Sequence, residues 1–299
     1  MVAKVSTTVA VFLAASVAWG GDAFPYVADG FLSIPSEVSL DAVSAVDVDA
    51  DGNIYVLHRG EPPILAFDEK GRYSHGWGQG MFEVAHGLRV DSRGDIWTTD
   101  NKLHVLRKFS PRGELLLTVG EAGVGANDDA HFRSPDDIGF ASNGDLFIAD
   151  AGNGRVVHLR PDGKFVAAWG SKGKADGEFA AAHGLTVDGR DRVIVADRGN
   201  DRVQVFSASG EHLGSWTGFG NPFGVLATAD GLIVSDGDAH RLIVLSLSDG
   251  RELSRWGTPE TVQLPHLMAT APDGRLFVTE VNGQRVQVFR RHSAADSED

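Results

Sequence analysis

The sequence predicts an all-β protein, a six-bladed β-propeller preceded by a signal peptide. Three observations predict this fold class. A strand–turn–strand pattern recurs six times between residues 46 and 279, apolar and polar residues alternate within each copy, and helical periodicity is almost absent from the rest of the chain. Repeats of this kind, about 44 residues long with four strands each, are typical of propeller blades.

Each repeat starts with two apolar strands joined by a turn that contains Gly, Asp or Asn, which are the residues that favour tight turns. The six turn positions are separated by 42, 50, 47, 40 and 43 residues. The copies are VDVDADGNIYVL (46–57), LRVDSRGDIWTT (88–99), IGFASNGDLFIA (138–149), LTVDGRDRVIVA (185–196), VLATADGLIVS (225–235) and MATAPDGRLFVT (268–279).

A third and a fourth strand follow in the repeats, as in RVVHL (155–159) and DGKFVAAWG (162–170). The segment 24–40 precedes the first repeat, and we expect it to complete the last blade and so close the ring. The sequence therefore predicts a propeller over residues 24–291.

The ends of the chain differ from the repeats. Lys4 precedes the apolar run 7–17, and small residues follow, which together predict a cleaved secretory signal over residues 1–23. An uncleaved membrane anchor is the alternative. Residues 292–299 read as an acidic, solvated tail. We therefore expect a secreted or periplasmic protein.

Composition excludes several classes of partner. The 299 residues carry a net charge of −14, so clustered positive charge for a nucleic-acid backbone or an anionic membrane is not expected. The chain has no cysteine, so packing and sheet hydrogen bonds must stabilise the fold without disulfides. A small carboxylate or peptide-derived ligand and a protein partner remain open.

Residues that differ between equivalent blade positions are candidates for function. Alignment on the turns places His86, His183 and His266 at one position of blades two, four and six, where the other blades carry Ser44, Asp136 and Phe223. Because the innermost strands line the central channel, histidines from alternate blades can converge. Three histidines with an open fourth position are the ligands of a catalytic zinc. Zn–N bonds of about 2.0–2.1 Å would bring their nitrogens within about 3–4 Å of one another.

Two arginines form a second asymmetry. Arg59 and Arg198 end the second strand of blades one and four, where other blades carry Asn101, Ala151, Gly237 and Val281. Blades one and four face each other, and guanidinium groups bind carboxylates through paired hydrogen bonds. A carboxylate site above the zinc is one interpretation, and separate ion pairs with loop acids are the other.

An acid and an arginine recur at fixed spacing in most blades, which favours a structural role. The pairs are Asp150 and Arg155, Asp197 and Arg202, Asp236 and Arg241, and Glu280 and Arg285. We interpret them as ion pairs between neighbouring blades.

The repeat resembles NHL-repeat propellers, and the histidine and arginine motifs resemble the peptidyl-α-hydroxyglycine α-amidating lyase family. The matching segments are Ala85-His86-Gly87-Leu88, Ala182-His183-Gly184-Leu185, Pro265-His266, Leu57-His58-Arg59-Gly60 and Ala196-Asp197-Arg198. The resemblance implies a zinc held by the three histidines, arginines that bind the substrate carboxylate, and cleavage into a peptide amide and glyoxylate.

The sequence departs from the family pattern in two places. The family's catalytic tyrosine belongs to the third-blade loop, but residues 149–155 contain none, so Asp136 and Asp137 are the acid–base candidates by proximity. The family's structural calcium uses an acid after the third histidine, where this chain has Leu267, so calcium is not expected. The alternatives to a lyase are a non-catalytic NHL propeller that binds a peptide or protein, and a divergent metal-dependent hydrolase.

Overall fold

The computed structural model describes residues 23–293 and confirms the six-bladed propeller. The described residues form 24 strands in six four-stranded antiparallel sheets. Apart from Ala23, His292 and Ser293, the predicted signal peptide and the acidic tail lie outside the described residues. No helix among residues 23–293 is long and apolar enough to cross a membrane.

The first five blades order their strands from the inside outwards along the chain. Blade one comprises β2 (Val43–Val48), β3 (Ile54–His58), β4 (Ile64–Phe67) and β5 (Tyr73–Trp77). Blade two comprises β6 (Ala85–Val90), β7 (Ile96–Asp100), β8 (Val105–Phe109) and β9 (Leu115–Val119). Blade three comprises β10 (Pro135–Phe140), β11 (Leu146–Asp150), β12 (Arg155–Leu159) and β13 (Phe165–Trp169). Blade four comprises β14 (Ala182–Val187), β15 (Val193–Asp197), β16 (Arg202–Phe206) and β17 (His212–Thr217). Blade five comprises β18 (Pro222–Thr228), β19 (Gly231–Asp236), β20 (Arg241–Leu245) and β21 (Glu252–Trp256). A short 3-10 turn, Arg198–Asn200, follows β15.

The sixth blade closes the ring with strands from both ends of the chain. It comprises β22 (Pro265–Thr270), β23 (Leu276–Glu280) and β24 (Arg285–Arg291), with β1 (Tyr26–Phe31) as its outermost strand. β1 pairs antiparallel with β24, so the expected completion of the last blade by the N-terminal segment is confirmed.

The hydrophobic core consists of six layers, one between each pair of neighbouring blades. Phe277 and Val286 of blade six, for example, pack with Val46 and Ile54 of blade one. Strands β2 and β3 bury side chains on both faces, as expected for strands sandwiched between two other blades. Burial between blades therefore stabilises the ring as a whole.

The interpretation of the recurring acid and arginine as a pair between blades is wrong. Asp150 ends β11 and Arg155 begins β12 of the same blade, where they are registered partners with Arg155 Nε 2.8 Å from the carboxylate. Arg155 also donates to the carbonyl oxygens of Asp128 and His131 in the loop that enters this blade. The pair therefore joins a hairpin to its incoming loop, because the two residues face each other across the turn.

Candidate metal centre

A β-bulge in the first strand of each blade positions the central side chains. In β6 the register shifts between Ala85 and Leu88, so the bulge contains His86 and Gly87. Equivalent shifts occur in the other five first strands. A bulge adds one residue to a strand and re-aims its side chains, which here directs the histidines towards the axis.

The glycine after the first two histidines allows the neighbouring blade to approach. A Cβ at Gly87 would collide with the carbonyl oxygen of Asp136, and a Cβ at Gly184 would collide with that of Phe223. Gly87 does not have a positive φ, so space and not backbone conformation requires glycine. The His-Gly pair thus combines a candidate metal ligand with a close contact between blades.

The structure brings the three predicted histidines together. Candidate ligand nitrogens of His86, His183 and His266 lie within 4.8 Å of one another, a wider limit than the expected 3–4 Å. Their ring centroids are 4.8–5.0 Å apart, and all three side chains are buried. Residues from blades two, four and six therefore form one buried cluster on the propeller axis.

Hydrogen bonds to backbone carbonyls fix the tautomer of each ring. Nδ1 of His86 is 2.9 Å from the carbonyl oxygen of Asp136, Nδ1 of His183 is 2.7 Å from that of Phe223, and Nδ1 of His266 is 2.6 Å from that of Ser44. A carbonyl oxygen only accepts, so each Nδ1 carries the proton and each Nε2 keeps a free lone pair. Nε2 of His183 is buried without a hydrogen-bond partner in the described part of the chain.

Burial keeps these imidazoles neutral. It lowers the pKa of His86 to about 4 and holds the pKa values of His183 and His266 well below the usual range, and the charge of Arg198 acts in the same direction on all three. Neutral imidazoles with Nε2 lone pairs are the form that binds a metal. Nitrogen donors suit zinc, whereas calcium prefers oxygen ligands.

The structure separates the roles of Asp136 and Asp137. Asp136 faces the cluster, with its carboxylate oxygens 3.9 Å from Nε2 of His86 and 3.8 Å from Nε2 of His183. Burial raises the pKa of Asp136 to about 7, although the Asn101 amide and Arg198 oppose this shift. Asp137 instead forms a buried ion pair with Arg89, with oxygens 3.0 and 2.8 Å from Nε and Nη2.

The predicted arginines lie at the same end of the channel as the histidines. Neither Arg59 nor Arg198 forms an ion pair among the described residues. Arg59 is exposed and its Nε donates to the carbonyl oxygen of Ala85 at 3.4 Å, while Arg198 is half-buried. Ala85 precedes His86, and the Phe223 ring beneath Arg198 contacts His183, so both guanidinium groups lie near the cluster. Burial is the main cause of the lowered pKa of His86, and both guanidinium charges add to it.

The residues before the arginines hold the backbone. His58 is fully buried and its Nδ1 accepts from the Gly60 amide at 3.1 Å, so it shapes the turn that carries Arg59. Asp197 accepts from Ala180 N at 2.9 Å and pairs with Arg202. Both residues therefore act through the loop and not through a contact with the guanidinium.

Two residues near the site were assigned no role from sequence. Phe223 supports Arg198, whose guanidinium lies 4.8 Å above its ring, and its ring is 5.2 Å from that of His183. Asn101 Nδ2 donates to Asp136 Oδ1 at 2.6 Å. Their positions in the repeat were the available signal, because Phe223 is equivalent to the histidines and Asn101 to the arginines.

The structure also shows where the tyrosines and Leu267 lie, the residues at which the sequence differs from the lyase motifs. Tyr26 and Tyr55 hydrogen-bond to Asp230 and Asp49, away from the histidines. Leu267 is fully buried in the hydrophobic layer between blades, so its side chain offers no calcium ligand.

Comparisons with known proteins agree with this fold. A family model for the NHL repeat matches residues 179–206. NHL repeat-containing protein 3 of Mus musculus is 32% identical over 85% of this chain and 66% of its own length. Peptidyl-alpha-hydroxyglycine alpha-amidating lyase 1 of Drosophila melanogaster is 30% identical over 45% of this chain and 30% of its own length. The chain is a six-bladed β-propeller that contains an NHL repeat and has homology to the amidating lyases.

The amidating relatives match this chain over only part of their own length. The matches span 18% to 38% of the length of the amidating relatives. A solved streptogramin B lyase aligns with a TM-score of 0.66 over 89% of this chain and 98% of its own chain. At 14% identity, that similarity shows the fold alone.

Proposed function

We propose that this propeller is a zinc-dependent lyase that cleaves a peptidyl-α-hydroxyglycine-type substrate into an amide and glyoxylate. The observation that carries the proposal is the buried cluster of His86, His183 and His266, whose Nε2 lone pairs converge on the axis. Homology to the amidating lyases supports the choice of reaction. The proposed substrate is a small carboxylate or peptide derivative, and the proposed location is outside the cytoplasm.

The three histidines would hold the zinc. When bound, zinc supplies a Lewis acid that acidifies the substrate hydroxyl. The backbone carbonyls of Asp136, Phe223 and Ser44 orient the imidazoles by accepting from their Nδ1 atoms.

The two arginines would bind the substrate carboxylate. Neither guanidinium is engaged by a carboxylate of the described protein, so both can form charge-assisted hydrogen bonds with a ligand. Phe223 holds Arg198 by a cation–π contact of 4.8 Å. A carboxylate fixed there would direct the neighbouring hydroxyl towards the histidines.

The direct test combines metal analysis with product analysis. The protein without residues 1–23 is purified, its zinc content is measured, and it is incubated with α-hydroxyhippurate. We expect about one zinc per chain, together with benzamide and glyoxylate released in equal amounts and faster than in buffer. A zinc-loaded protein that leaves the rate at the buffer value would overturn the lyase proposal and favour a binding role. Benzoate as the product would favour the hydrolase.

A further inference from the structure

We propose that Asp136 is the catalytic proton acceptor and donor of this propeller, and that Asn101 is its positioning residue. This inference rests on the proposed lyase function and assigns it an acid–base group. It starts from the side chains that face the histidine cluster from the blade between two histidine blades.

Asp136 is the carboxylate that the fold places closest to two of the ligands. It comes from β10 of blade three, and its oxygens lie 3.9 and 3.8 Å from Nε2 of His86 and His183, which flank it on blades two and four. The group whose ligand atoms lie within 4.8 Å of one another contains the three histidines without Asp136. The carboxylate therefore faces the metal position from blade three, and the zinc content of Asp136 variants distinguishes a proton-transfer group from a fourth ligand.

Asn101 fixes the orientation of this carboxylate. Its Nδ2 donates to Asp136 Oδ1 at 2.6 Å and to the carbonyl oxygen of Pro135 at 2.9 Å. Asn101 stands in blade two at the position that carries Arg59 and Arg198 in blades one and four. One ring of equivalent positions thus supplies two carboxylate-binding cations and one amide that holds an acid.

The neighbouring acid cannot take this role. Both oxygens of Asp137 are occupied by Arg89, and one also accepts from Leu185 N at 3.0 Å. Asp137 joins blades two, three and four in the core. Among these two acids, Asp136 alone has a carboxylate directed at the reaction site.

The proton balance closes without a further reactant. Asp136 takes the proton of the substrate hydroxyl as the C=O bond of glyoxylate forms. The C–N bond breaks, and its electron pair goes to the amide nitrogen. The protonated Asp136 then returns the proton to that nitrogen, which leaves a neutral amide, glyoxylate and the original carboxylate.

The first test compares Asp136→Asn with the wild-type protein. Loss of an acid–base group lowers kcat by about 100-fold or more, and we expect KM to change by less than about threefold. Zinc content, measured on the same samples, should stay unchanged. A kcat within about threefold of wild type would overturn the proposal, and loss of zinc would make Asp136 a ligand instead.

A second pair of variants distinguishes chemistry from packing. Formate should restore part of the turnover of Asp136→Ala and should not help Arg198→Ala, because only the first lacks a proton acceptor. Asn101→Ala should lower kcat by about 5- to 10-fold with zinc retained, which corresponds to one hydrogen bond. If formate does not restore the turnover of Asp136→Ala, and Asn101→Ala keeps the wild-type kcat, the proposed roles of Asp136 and Asn101 are both refuted. An inactive wild-type protein would instead refute the lyase function itself.

Discussion

At the scale of single residues, each central histidine is held by the backbone of the following blade. The acceptors are the carbonyl oxygens of Ser44, Asp136 and Phe223, the residues that occupy the histidine position in blades one, three and five. Because only their carbonyls orient the rings, their side chains are free to differ. Ser44, Asp136 and Phe223 therefore give the positions between the histidine blades three different side chains, so the surroundings of the cluster are not three-fold symmetric.

The arginines give a prediction at this scale. Arg198→Ala should lower kcat/KM for a carboxylate substrate. The corresponding loss of transition-state stabilisation should be about 1.5–3 kcal/mol, the usual contribution of a hydrogen bond to a charged group. Bound zinc should not change, because Arg198 is not a ligand. Steady-state kinetics and metal analysis of the same preparation measure both quantities.

An amidated analogue without the carboxylate serves as the substrate control, since its turnover should be nearly the same in both proteins. Exposed Arg93 provides a matched substitution away from the histidines. Equal losses for both substrates would show that Arg198 does not bind the carboxylate.

At the scale of the element, the bulge in the first strand of each blade positions the side chains at the centre of the ring. The bulge contains the histidine and, in blades two and four, a glycine on which the next blade rests. The strand therefore fixes both the direction of the ligand and the distance between blades.

Gly87→Ala tests this close contact. The added Cβ must displace the backbone of blade three at Asp136, and overpacking of this kind costs about 1–3 kcal/mol of unfolding free energy. We expect weaker zinc binding as well, because His86 is adjacent. Urea unfolding and zinc titration measure the two effects.

Gly214→Ala is the matched control, because Gly214 is also in a strand, does not have a positive φ, and has no atom within 4 Å of an added Cβ. If both variants are equally stable, the contact between Gly87 and blade three does not constrain the ring.

The hairpin ion pair gives a second prediction for an element. Arg155→Ala leaves Asp150 buried without its cation, and breaking a buried pair costs about 3–5 kcal/mol. The exposed pair of Arg255 and Glu252 is the control, since Arg255→Ala should cost less than about 1 kcal/mol. Similar unfolding free energies for the two variants would mean that the incoming loop is held without Arg155.

At the scale of the whole molecule, closure by β1 joins the two ends of the propeller. Phe24 and Tyr26 are buried in the layer between blades five and six, and β1 covers the outer edge of β24. The ring therefore depends on residues far apart in sequence.

Removal of residues 24–31 should open this edge. Burying one aromatic side chain in a core contributes about 3–5 kcal/mol, so losing two should lower the urea midpoint strongly. Urea unfolding followed by far-ultraviolet circular dichroism measures this midpoint. An unchanged midpoint would show that blade six is stable with three strands.

The sequence predicted the parts of the molecule that the repeat encodes. Turn spacing gave six blades, and equivalent positions gave His86, His183 and His266, because a propeller places equivalent residues at the same radius. The bulges were not predictable, since they depend on pairing between strands. Two contacts also depend on the paths of the loops, which the spacing of residues does not define. They are the ion pair of Arg155 with Asp150 within one blade and the hydrogen bond from Asn101 to Asp136.

Metal content decides whether the histidines of alternate blades form one metal centre. Zinc is measured in the purified wild-type protein, in His183→Ala and in the control His240→Asn, whose ring bonds to the carbonyl oxygen of Val262 and whose positive φ of 52° suits asparagine. We expect about one zinc per chain in the wild type and in the control, and almost none in His183→Ala. Equal zinc in all three proteins, or none in the wild type after incubation with zinc, would contradict this expectation.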